Sequence, residues 1–293
     1  MQLFVDDLTV IDFSYLCKQR GIVGESWIVD VLLDGSLNDQ SMVLDFAIVK
    51  KQIKTIIDDA VDHKLLLPTQ EKVLTVKDST YHKNHLTLDF LSQRASYYLQ
   101  SPKCAFALID CLEINIASVT EYLNKIIMAE LPSNVQGLTL TLRPENINGD
   151  YYHYTHGLKL HDGNCQRIAH GHRSKIQIFV DEVKNSQLEN EWCKRWQDIY
   201  IASDADRVAK SEIELSEKAM LNVTPDHQYF SYTAPQGRFD IAVENKVLDV
   251  VDCDSTVELL ADFIARQLQK ERPKNNIKVI GYEGVAKGAI VSV

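Results

Sequence analysis

Apolar and polar residues alternate along residues 3–33 with the two-residue period of half-buried strands. The run ends in Trp27-Ile28-Val29-Asp30-Val31-Leu32-Leu33 before the turn Asp34-Gly35, so a hairpin is predicted. The period then changes. Val49, Ile53, Ile56, Ile57 and Ala60 recur at three- and four-residue spacing, which predicts a helix that Asp45 is placed to cap. Residues 64–103 are polar and irregular, with short candidate strands such as Val73–Val76, and are expected to form an insertion. Ala105–Ile109 precedes a helix whose start is predicted at the capping box Ser118-Val119-Thr120-Glu121, and Leu138–Leu142 reads as a strand. A second series follows: a hairpin from His156 to Val180, a capping box at Ser255-Thr256-Val257-Glu258, an apolar stripe (Val257, Leu260, Ala261, Ile264, Leu268) and a last strand ending near Glu283.

The two series share an order of landmarks. Gly24 pairs with Gly171, Asp62-His63 with Asp226-His227, Ser118 with Ser255, and Glu145 with Glu283. Internal duplication explains this better than chance, which predicts units at 1–147 and 148–293. At 293 residues the chain is long enough for two such units.

Charge and cysteine content narrow the partners. With 41 acidic against 31 basic residues the net charge is −10, which argues against a nucleic-acid or membrane-surface binder and favours a small-molecule partner. No window approaches a membrane span, and no basic, apolar leader opens the chain. Six cysteines without a Cys-x-x-Cys pair fit a reducing compartment, so a cytoplasmic protein is expected.

The chemistry-bearing stretch is His156–His172. His170 and His172 lie two apart on a predicted strand and therefore share a face, and His156 sits far enough upstream to lie on a neighbouring antiparallel strand. Three neutral imidazoles with an open fourth position make a catalytic zinc shell, although paired histidines on a strand are also common as packing residues. Cys165 between them reads equally as a small core residue. The first half has Val23-Gly24-Glu25 opposite His170-Gly171-His172 and a residue near Asp12 opposite His156, so no zinc is expected there. It keeps Cys17 near the place of Cys165.

Together these residues resemble the 6-pyruvoyl-tetrahydropterin synthase and 6-carboxy-tetrahydropterin synthase family. The second half carries the likeness in His156, Cys165, His170-Gly171-His172, Asp226-His227, Thr256 with Glu258, and Glu283. The first half is similar to a degenerate copy, notably at residues 35–46. The resemblance implies an α+β tandem T-fold, in which each unit is an antiparallel sheet with two helices on one face. It also implies Zn2+ on His156, His170 and His172, and a 7,8-dihydroneopterin triphosphate substrate. Cys165 and an Asp-His pair would transfer protons, and Glu283 would hold the pterin edge. Because family sites lie between neighbouring units, Asp62-His63 is as eligible as Asp226-His227. Arg167, Arg173, Lys175 and Lys287 are candidates for the triphosphate on sequence proximity. The span from His172 to Asp226 departs from the family pattern, reading Trp192-Cys193-Lys194-Arg195-Trp196, and leaves the pyruvoyl and carboxy outcomes both open. The implied protein is a zinc-dependent lyase of pterin or deazapurine biosynthesis and a homo-oligomer. The rival is a non-catalytic zinc- and pterin-binding descendant with a regulatory or structural role.

Overall fold

The computed structural model describes residues 1–37, 41–43 and 45–293; part of the family-like segment 35–46 therefore lies outside the described residues. The first half runs β1 (Gln2–Cys17), β2 (Gly21–Gly35), α1 (Phe46–Ala60), β3 (Leu65–Pro68), β4 (Leu74–Asp78), β5 (His85–Leu91), β6 (Ser96–Pro102), β7 (Phe106–Ile109), α2 (Ile116–Glu130) and β8 (Val135–Pro144). The second runs β9 (Tyr151–His156), β10 (His170–Val180), β11 (Val183–Lys184), α3 (Ser186–Arg195), β12 (Ile199–Ser203), β13 (Arg207–Val208), α4 (Glu217–Asn222), β14 (His227–Ala234), β15 (Gly237–Glu244), β16 (Leu248–Val251), α5 (Val257–Glu271), β17 (Ile277–Tyr282) and β18 (Gly288–Ser292).

Two sheets have matching strand orders, β7-β3-β1-β2-β8 and β16-β12-β9-β10-β17-β18. In each, a long antiparallel hairpin forms the centre, while the next strands, β3 and β7 or β12 and β16, add in parallel. The α+β expectation holds, with mixed rather than purely antiparallel sheets. Helix periodicity explains the covering layer. Val49, Ile53 and Ile57 of α1 and Val119, Leu123 and Ile127 of α2 bury against Phe13, Val29 and Val31 of the first sheet. In the second half α3 and α5 bury Trp192, Leu260, Ile264 and Leu268 against Tyr152, Ile178 and Val279. Each such side chain contributes roughly 1.5–3 kcal/mol of burial.

The stretch expected to be an irregular insertion is regular. Its strands β4, β5 and β6 join β13, β14 and β15 in a third sheet, ordered β13-β14-β15-β6-β5-β4, whose centre is the antiparallel β6–β15 pair. The polar alternation in 64–103 conceals this because the partner strand lies far away in the chain. Leu88, Leu99, Phe230 and Ile241 of the shared sheet pack with Leu16, Leu65, Ala169 and Tyr200, so residues on both sides of the β8–β9 connection share one core.

The two hairpins meet face to face through their glycines. A Cβ on Gly24 would stand 1.9 Å from the Tyr154 carbonyl oxygen, and one on Gly171 would stand 2.7 Å from the Gly24 Cα. Side chains here would separate the sheets. Beside this contact, the buried hydroxyls of Ser14 and Thr155 lie 2.7 Å apart. Both predicted capping boxes shift. Asn115 caps α2 with Ser118 at the third helical position, and Thr256 caps α5. No helix among the described residues is long and apolar enough to cross a membrane.

Candidate metal centre and proton-transfer cluster

β9 and β10 pair so that His156 faces His170 directly and Tyr154 faces His172. The three imidazoles share one side of the hairpin, with ring centroids 4.4 Å (His156–His170), 5.3 Å (His156–His172) and 5.7 Å (His170–His172) apart. Each Nδ1 faces a definite neighbour. That of His156 lies 3.0 Å from the Ser255 hydroxyl, that of His170 2.9 Å from the Arg167 carbonyl oxygen, and that of His172 3.2 Å from Asp12 Oδ1. All three Nε2 atoms are buried and have no hydrogen-bond partner, and the same holds for His172 Nδ1, whose approach to Asp12 is a close contact and not a formed hydrogen bond. One ligand atom from each ring can be taken within 4.8 Å of the others. Burial first, and then the neighbouring imidazoles, push His156 and His170 well below the usual histidine range, which keeps them in the neutral ligand form. The donor set, three buried imidazoles converging from one hairpin, suits zinc.

Cys165 sits in the short turn Asn164–Gln166 before β10, and with His63 and His170 it forms a second cluster whose ligand atoms also lie within 4.8 Å. His63 comes from the first half, where the chain leaves α1, and adopts φ 53°. Its Nδ1 lies 2.5 Å from Asp62 Oδ2 and its ring centroid 5.2 Å from that of His170. Burial disfavours its charge, but hydrogen bonds to Asp62 and Cys165 outweigh this and push His63 up to about 10. Arg167 braces the cluster from the second half by donating to the carbonyl oxygens of Asp62 and His63, both at 3.3 Å. Glu283 follows β17, with Oε1 3.7 Å from His172 Nε2.

The structure therefore gathers Asp62 and His63, not Asp226 and His227, beside Cys165. His227 opens β14 in the shared sheet, where Nε2 meets Ser96 Oγ at 2.9 Å and Nδ1 accepts from the Thr224 N–H at 3.0 Å, while Asp226 is exposed. The sequence pairing of the two Asp-His dipeptides fails for a topological reason. Asp62-His63 joins α1 to β3, and the segment joining α3 to β12 is Gln197-Asp198. The His63 N–H donates to the Asp12 carbonyl as that of Asp198 donates to His153, and Asp198 has φ 57°.

By the same register, Tyr15, Val23 and Glu25 stand where the second half has His156, His170 and His172. Arg20 occupies this counterpart, donating to Asp198 at 2.6 and 3.0 Å and to the Tyr15 hydroxyl at 3.2 Å. The three histidines and Cys165 thus come from the second half, and Asp62 and His63 from the first. Of the proposed phosphate-binding residues, Arg167 is buried and committed as described, while Arg173 and Lys175 are engaged by Glu145. Asp12 and Ser255 carried no sequence signal as site residues, because supporting an imidazole from behind requires no motif.

Residues 13–143 match the family model for 6-pyruvoyl tetrahydropterin synthase. Over that span, somewhat under half of the chain, the sequence is similar to the family. The matched span holds Asp62 and His63, whereas the three histidines lie beyond it. Similar solved structures include Plasmodium vivax 6-pyruvoyltetrahydropterin synthase in a catalytic-residue mutant, at 17% identity and TM-score 0.40 over 49% of this chain and 90% of that one. Another P. vivax structure gives 16% and 0.38, and the Plasmodium falciparum synthase 14% and 0.37, each over 49% of this chain and 97% of its own. No curated protein matches the chain. The fold itself is α+β, with helices covering one face of each of the two mixed sheets.

Proposed function

We propose that the chain is a zinc-dependent lyase acting on 7,8-dihydroneopterin triphosphate, of the 6-pyruvoyl or 6-carboxy type, in the cytoplasm. In this reading, units 1–147 and 148–293 build one composite site. His156, His170 and His172 would hold the metal through Nε2, which would acidify substrate hydroxyls and neighbouring C–H bonds when bound. Cys165 would take a proton from the substrate side chain. His63, oriented by Asp62, would return it. Glu283 would hold the amino-pyrimidine edge by accepting its paired N–H donors.

What carries the reading is the convergence of three unpartnered, buried Nε2 atoms next to Cys165 and the Asp62–His63 pair. A core without a ligand would leave the three Nε2 atoms uncompensated, at about 1–3 kcal/mol each. Incubating the purified, zinc-loaded chain with dihydroneopterin triphosphate should release inorganic triphosphate. Intact substrate after prolonged incubation, with zinc bound, would leave a binding protein and not a lyase. The homo-oligomer belongs to the same proposal, since β8, a ten-residue strand, ends its sheet without a partner among the described residues.

A further inference from the structure

Asp12 touches both parts of the composite site. It lies on β1 in the first half and is 3% exposed. Its backbone N–H donates to Asp62 Oδ1 at 2.9 Å, and its carbonyl oxygen accepts the His63 N–H at 2.7 Å. Its carboxylate reaches the second half: Oδ1 stands 3.2 Å from His172 Nδ1, and Oδ2 stands 3.1 Å from the Lys287 ammonium. The Ser26 hydroxyl donates to Oδ1 at 2.5 Å. Little freedom is left to the group, since a Cβ on Gly284 would already come within 2.4 Å of Oδ1.

A neutral imidazole carries one proton, and the partner of one nitrogen decides what the other can do. A carboxylate at Nδ1 draws the proton there and frees the Nε2 lone pair for a metal. The other two ligands receive their support from Ser255 and Arg167 of their own half. His172 faces a carboxylate of the other half. At the matching place on β9, His153 directs Nδ1 to the Gly24 carbonyl oxygen at 2.7 Å and serves no ligand.

We propose that Asp12 is the positioning residue of the composite site: its carboxylate fixes His172 with Nε2 facing the metal, while its backbone sets the Asp62–His63 pair. The first half thereby controls metal affinity in the second. This rests on the zinc reading above.

The test compares full-length wild type and Asp12→Asn by zinc competition with a chromogenic chelator, with far-UV circular dichroism as the fold control. A folded variant should bind zinc about 10- to 100-fold more weakly. Its cobalt-substituted form should also show a shifted visible spectrum, which a role in folding alone would not produce. Wild-type affinity and an unchanged cobalt spectrum in a folded Asp12→Asn overturn the inference and leave the zinc reading standing. Absence of zinc binding in wild type overturns both. Should the variant fail to fold, histidine 15N NMR of zinc-loaded wild type decides, since His172 must carry its proton on Nδ1; a proton on Nε2 with metal on Nδ1 overturns the inference.

Discussion

Cys165 and His63 meet across the two halves, so replacing either should remove proton transfer without dismantling the metal shell. Cys165→Ala and His63→Gln are each expected to lower kcat by about 10²- to 10⁴-fold with zinc content unchanged by atomic absorption. His227→Gln should leave kcat near wild type, because that ring is engaged by Ser96 and Thr224. Loss of turnover in His227→Gln with full activity in His63→Gln would reverse the assignment. A second test concerns Glu25, which stands at the counterpart of His172. Burial raises its carboxyl from 4.5 to about 7, against opposing contributions from the Ser26 N–H and Arg173. The folded state therefore keeps a proton that the unfolded chain releases, and its stability falls as pH rises from about 4.5 through 7. Glu25→Gln should stabilise the protein by about 1–3 kcal/mol more at pH 8 than at pH 5 in urea melts. The ligand histidines were legible because alternation along a strand puts His170 and His172 on one face. Asp12 was not, since its role depends on a contact between hairpins.

At the scale of elements, the connection after the first helix of each half has taken two forms. In the first half it presents Asp62-His63. In the second it presents Asp198, with its side chain 9% exposed and paired to Arg20 and, at 3.3 Å, to Arg94. Taking away Arg20 strands a largely buried carboxylate that Arg94 compensates only in part, so Arg20→Leu should cost about 2 kcal/mol. Adding Asp198→Asn to that variant should recover a substantial share of the loss in thermal or urea unfolding. A double variant as unstable as the sum of the two single changes would show that the pair is not coupled. Hairpins and covering helices could be read from periodicity, since each buries one face within its own half. The shared sheet could not, because β6 pairs with β15, which lies far away in the other half of the chain. The landmark order misled for a related reason: Asp226-His227 keeps its sequence rank but stands at the start of β14, whereas the topological counterpart, Gln197-Asp198, has a different residue at each of the two positions.

Across the whole molecule, a site built from residues of both halves makes the number of sites a test of the proposed architecture. Cys165 and His63, from different halves, meet within one chain. One zinc per chain is therefore expected, and light scattering should find more than one chain per particle through the open sheet edges. Cis assembly has a further consequence. Every chain of Cys165→Ala lacks the thiol in its own site, and every chain of His63→Gln lacks the imidazole in its own. Co-expressing the two inactive variants should then restore nothing, however the chains associate. Were the thiol and imidazole contributed by different chains, random mixing would rebuild roughly one quarter of the sites. Recovery on that scale, measured as triphosphate release from the co-purified mixture, would show that the functional contact forms between chains.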